Sequence, residues 1–108
     1  MLITDDRLGK ALVKIAQSDA EVAELHANCE RKEFKAKAIK DAIFLRSEGS
    51  VGERSAIAGT SAEYAAAMED YFTALAIHEK LRNERQREFV VIEVWRSLSS
   101  ARTKGIVS

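Results

Sequence analysis

Apolar residues recur along this chain at the three- and four-residue spacing of helices, and no segment requires a strand. Val22, Leu25, Cys29, Lys32, Ala36, Ile39 and Ile43 form a heptad-like stripe whose one polar member is Lys32. Phe34, Ala38, Ala42 and Leu45 widen that stripe toward its end. Upstream, Leu8, Leu12 and Ile15 recur at i, i+4 and i+7. Further along, Tyr64, Met68, Tyr71, Phe72 and Leu75 share a helix face, and a polar stretch from His78 to Glu88 follows, relieved by Leu81. The segment from Phe89 to Leu98 is then apolar around well over half of a helix circumference, more than one neighbouring helix covers. The first helix offers one partner for it, and a second copy of the chain offers another.

Capping signals divide these stripes into elements. Ser18, Ser50 and Thr60 are each followed three residues later by a glutamate (Glu21, Glu53, Glu63), the spacing of a capping box, in which the hydroxyl accepts a free backbone N–H and the carboxylate reaches back. Gly49 and Gly59 precede two of the boxes and are placed to close a helix in the left-handed conformation. Thr4 with Asp5 and Asp6 reads as an N-cap that complements the helix dipole, and Gly105 ends the last helix behind Arg102 and Lys104. Helices are expected near 5–17, 19–48, 51–58 and 61–103.

The charge pattern selects a topology. Net charge is zero, but four blocks (1–30, 31–46, 47–79 and 80–108) carry −3, +4, −5 and +4. Folding the chain about residue 54 sets basic 31–46 opposite acidic 62–77, acidic 19–30 opposite basic 78–89, and Asp5 and Asp6 opposite Arg102 and Lys104. The expected architecture is all-α: a long antiparallel helical hairpin with a short helix at its tip and an N-terminal helix, completed as a helical bundle by dimerisation. The rival is a compact three-helix bundle that turns at Gln17-Ser18.

Composition agrees. The chain has 108 residues, no proline and five glycines, so it is a single domain rich in helix formers. One cysteine excludes an internal disulfide, no stretch is long and apolar enough to span a membrane, and the first residues lack the pattern of a signal peptide. A cytoplasmic location is expected, in the host cell cytoplasm if a phage encodes the chain.

Catalytic chemistry finds little support. His26, Cys29 and Glu30 share one side of a helix and His78 falls near them across the hairpin, yet the paired cysteines or His-x₃₋₅-His spacing of zinc sites are missing. Ala23 and Leu75 occupy the positions that the Glu-x-x-His pairs of di-iron bundles would need. No nucleophile elbow or phosphate loop occurs, so neither enzymatic activity nor a cofactor is expected. The basic runs 31–37 and 80–87 read as internal complements of the acidic blocks. Arg96, Arg102 and Lys104 beside Trp95 are the candidates for nucleic-acid contact. Trp95 as core beside Leu12 and Val13 competes with that role.

Two segments carry a resemblance: Phe44-Leu45-Arg46-Ser47-Glu48-Gly49-Ser50-Val51-Gly52-Glu53-Arg54 and Val91-Ile92-Glu93-Val94-Trp95-Arg96-Ser97-Leu98-Ser99-Ser100-Ala101-Arg102. They resemble small all-helical proteins of phages and prophages found among genes for recombination or replication. The resemblance implies that setting and no catalytic residue. The expected function is therefore a non-enzymatic, dimeric accessory protein that binds a protein partner of DNA metabolism. Its partner-interface residues would be Phe89, Val91, Ile92, Val94, Trp95 and Leu98, in an apolar segment that forms part of the subunit interface. Direct DNA binding through Arg96, Arg102 and Lys104, and inhibition of a host defence or nuclease complex, are the alternatives.

Overall fold

A computed structural model describes residues 3–103 and 105. It contains α1 (Asp5–Arg46), α2 (Val51–Gly59) and α3 (Ala62–Thr103), and no strand among the described residues. The all-helical hairpin is thus observed, with α1 packed on α3. Residues form two compact units, one of 24–78 and one of 1–23 with 79–108, and α1 and α3 contribute to both.

In the 24–78 unit, α1 buries or half-buries Leu25, Cys29, Lys32, Ala36, Ile39 and Ile43, the stripe read from the sequence. On α3 the corresponding residues are Tyr64, Ala67, Tyr71, Ala74 and His78, again at alternating three- and four-residue spacing. Alanines at every second seam position of α3 leave room for a close helix approach, while the two tyrosines fill the layers between them. The antiparallel sense is marked by Arg46 on Glu63 at 2.8 Å and by Lys40 lying 5.3 Å from the centre of the Tyr64 ring. The residues that widened the predicted stripe are not covered: Phe34 and Leu45 are 74% and 73% exposed, and Ala38 and Ala42 also face water.

Helix α2 closes this unit. Ser50 caps it as expected, its Oγ accepting the Glu53 N–H at 3.1 Å, and Ala58 is buried. The Arg54 guanidinium lies over the Phe44 ring at 4.3 Å, and its Nε donates to the Phe44 carbonyl at the open end of α1. Gly49 has φ +116°, the left-handed turn expected there, whereas Gly59 has a negative φ and continues α2. The third cap is shifted by one residue. Thr60 turns back to the Ala56 carbonyl, and Ser61 accepts the Tyr64 N–H at 3.2 Å. Glu63 therefore serves Arg46 rather than a capping box.

In the unit of 1–23 with 79–108, the seam consists of Leu8, Ala11, Ile15, Ser18 and Val22 on α1, with Leu81, Arg85, Glu88, Ile92, Trp95 and Ser99 on α3. The helix boundary predicted at Gln17-Ser18 is absent, and α1 runs through it. Ser18 is buried, and its hydroxyl donates to the Lys14 carbonyl at 2.7 Å, the bond of a mid-helix serine rather than of a cap. This also removes the rival three-helix bundle. Asp5 and Asp6 do not meet Arg102: Asp5 accepts from the Trp95 indole N–H at 3.3 Å, and Asp6 pairs with Lys10 one turn along. Lys104 lies outside the described residues. The predicted packing of Trp95 on Leu12 and Val13 gives way to the Asp5 contact, since both aliphatic residues are exposed.

The hydrophobic core is thin. Its buried apolar members are Ala11, Cys29, Ala36, Ile43, Ala58, Ala67 and Ala74, and among the described residues no large side chain is wholly withdrawn from water. The chain has 7714 Å² of accessible surface at 12.0 kDa. A folded monomer of that mass typically has about 6000 Å².

Candidate functional site

Segment 89–98 lies on the last third of α3 and is nowhere fully covered. Phe89 is 42% exposed and Val90 is likewise open to solvent, while Val91, Ile92, Val94, Trp95 and Leu98 are only half-buried. Ile92 and Trp95 belong to the seam with α1, so one part of this apolar surface packs within the chain. Val91, Val94 and Leu98 fall beside the seam at spacings of three and four residues. All six candidate interface residues lie on α3, and of them Phe89, Val91, Val94 and Leu98 stand outside the seam with α1.

The candidate nucleic-acid residues are not gathered into a site. Arg96 pairs with Glu93 on its own helix at 3.2 Å, and Arg102 is exposed one turn and a half further along. The two basic runs have different fates. In 80–87, Arg85 turns inward and Arg82 approaches Glu79 at 3.4 Å. In 31–37 the expected matching with the acidic part of α3 does not occur: among the described residues of that unit, Arg46–Glu63 is the ion pair that joins α1 to α3.

Sequence reasoning missed the polar layers of the seam. Arg85 is largely buried, and its Nη1 donates to the Ile15 carbonyl and to Ser18 Oγ, both at 2.8 Å, while Nη2 reaches Asp19 at 3.3 Å. One layer away, Arg7 Nη2 donates to both oxygens of Glu88 at 2.9 and 2.7 Å, and the Glu88 side chain is only 11% exposed. Lys14 approaches Glu84 at 3.9 Å on the same flank. Arg7–Glu88 and Lys14–Glu84 join basic residues of the acidic block to acidic residues of the basic block, the reverse of block-wise matching, whereas Arg85–Asp19 follows it. Heptad spacing alone carries the signal, because positions 81, 85, 88 and 92 continue the seam of 64, 67, 71 and 74.

In the other unit, the His26 and His78 rings lie 5.5 Å apart and Glu30 approaches His26 Nε2 at 3.1 Å. Tyr71 donates its hydroxyl hydrogen bond to Glu33. Partial desolvation first, then the Glu33 carboxylate and Cys29, hold the Tyr71 phenol above its ordinary range. Among the described residues no group of three or more His, Cys, Asp or Glu side chains is arranged to hold a metal ion. No described helix is long and apolar enough to cross a membrane. No family model, curated protein or solved structure matches the chain.

Proposed function

We propose that this protein is a non-enzymatic, dimeric helical binding protein that engages a protein partner of DNA metabolism. Phe89, Val91, Ile92, Val94, Trp95 and Leu98 form the contact surface. The observation that carries this reading is the apolar segment itself, a run of large aliphatic and aromatic side chains left half-buried or exposed at the end of α3. Val91, Val94 and Leu98, which lie beside the seam with α1, suit a helix-in-groove contact. The setting in DNA metabolism rests on the resemblance of segments 44–54 and 91–102 to phage and prophage accessory proteins. Direct DNA binding is less favoured because Arg96 already has Glu93 as a partner.

The test is affinity capture from infected or lysogenic cells with the wild-type chain and with Val94→Glu and Leu98→Glu. The expected result is a replication or recombination protein retained by the wild type and lost by both variants, with helical content unchanged. Equal capture by all three chains would place the contact elsewhere.

A further inference from the structure

A second uncovered face lies in the 24–78 unit. On α1, Arg31, Lys35, Ala38 and Leu45 are all exposed and recur at spacings of four, three and seven residues. On α3, Ala66, Asp70 and Ile77 are exposed and recur at four and seven. Each of the four seam neighbours that follow Arg31, Lys35, Ala38 and Asp70 (Lys32, Ala36, Ile39 and Tyr71) is at least half-buried. In an antiparallel pair, the positions that immediately precede seam residues share one side of the pair on both helices. The two stripes therefore make one face, with Arg31 and Lys35 followed by apolar residues along α1 and Asp70 between apolar residues along α3.

Three charges of this face are not used within the chain. Arg31, Lys35 and Asp70 take part in no ion pair or hydrogen bond among the described residues, in contrast to Arg46 and Glu63. A face with cations along one helix and a carboxylate along its antiparallel neighbour is complementary to itself under a two-fold rotation that lays α1 of one copy on α3 of the other. Ala38 and Ala66 permit close approach, while Leu45 and Ile77 supply apolar area. We infer that a second copy of this chain covers this face, α1 on α3 in both directions, giving a four-helix layer. This locates the self-association assumed in the proposed function in the 24–78 unit rather than at 89–98.

Sedimentation across micromolar concentrations tests it with two variants, Arg31→Glu/Lys35→Glu and Asp70→Lys. The wild type is expected to dimerise, less tightly as salt rises. Each variant alone sets like charges against each other and is expected to weaken association about tenfold or more, with unchanged helical content. Mixed together, the two variants restore the dimer, because each α1 then meets an α3 of opposite sign. A wild type that stays monomeric, or that instead binds only an acidic peptide, overturns the inference. So does a dimer indifferent to both variants, and in that case loss of the dimer in Leu98→Glu would leave dimerisation standing and move it to 89–98.

Discussion

The Arg85 guanidinium and the Ser18 hydroxyl meet at 2.8 Å within the seam between α1 and α3. The same Arg85 nitrogen takes the Ile15 carbonyl at an equal distance, so a backbone oxygen that already serves its own helix gains a second donor from across the seam. A cation at a seam position fixes which layer of α1 stands opposite it, because a shift by one heptad would place the guanidinium against Ala11 or Leu25. Arg85→Met keeps the aliphatic stem and removes the donors. It is expected to lower stability by about 1.5–3 kcal/mol, the range for hydrogen bonds to a charged group. Ser18→Ala retains the Ile15 bond and is expected to cost about 1 kcal/mol. Urea unfolding followed by circular dichroism measures both. Equal stability of Arg85→Met and wild type would show that the layer contributes nothing.

Arg7 and Glu88 form the second polar layer, with the carboxylate more deeply placed than the guanidinium. Removing the cation leaves Glu88 without its partner in a half-dry setting, so Arg7→Ala is expected to cost about 1–3 kcal/mol, between the exposed and buried regimes. Glu88→Leu removes the need for a partner and is expected to be nearly neutral in stability. A double-mutant cycle gives the coupling. A cycle energy of zero would mean that the short distances carry no energy.

The contrast between these layers and the apolar ones explains how far the sequence could be read. Val22, Leu25, Cys29, Ala36, Ile39 and Ile43 declared their shared face because apolar residues at heptad spacing have one cheap place to go. Arg85 and Glu88 occupy the same kind of position on α3, but a charged side chain declares solvent by default and is buried only when its partner lies across the seam. Ser18 misled for a related reason: a serine followed by Glu21 has the spacing of a cap, and only the packed helix shows its hydroxyl turned back to Lys14. Charge-block matching gave the antiparallel sense and failed in detail. In the 24–78 unit, Lys40 with Tyr64 and His26 with His78 sit at positions whose numbers add to 104, while Arg46 with Glu63 adds to 109, against the 108 that the blocks suggested. The apolar surface at 89–98 was legible as excess and as nothing more specific, since an uncovered face carries no record of its partner.

Tyr71 supplies a prediction at alkaline pH. Its folded-state pKa is raised above the ordinary value of 10.0, so the folded form holds the phenolic proton more tightly than the unfolded form does. This tighter hold on the proton, set first by desolvation and then by the Glu33 carboxylate, favours the fold fully below pH 10, and the benefit is lost as pH rises through the folded pKa. Ultraviolet titration of tyrosinate is expected to show one of the two tyrosines ionising above the ordinary range and to lose that late phase in Tyr71→Phe. Tyr71→Phe should also flatten the alkaline decline in stability. A late phase that persists in Tyr71→Phe would overturn this assignment.

Gly49 and Gly59 occupy similar places in the sequence, each just ahead of a predicted cap, and the structure separates them. Gly49 has φ +116°, and a Cβ built there would stand 3.3 Å from the Glu53 Cβ and 2.8 Å from its carboxylate. The carboxylate can swing away, but the backbone angle cannot be relieved without opening the turn that joins α1 to α2. Gly49→Ala is expected to lower stability by about 1–2 kcal/mol. Gly59 lies inside α2 with a negative φ, and its added Cβ would meet only the Lys40 side chain at 4.0 Å, an ordinary contact. Gly59→Ala is therefore expected to be neutral or to raise stability by about 0.4–1 kcal/mol, because it narrows the unfolded ensemble without straining the fold. Thermal unfolding of the two single variants checks the pair. The two variants are expected to differ in sign, so a Gly59→Ala variant as unstable as Gly49→Ala would show that both turns require glycine, as the sequence pattern alone suggested.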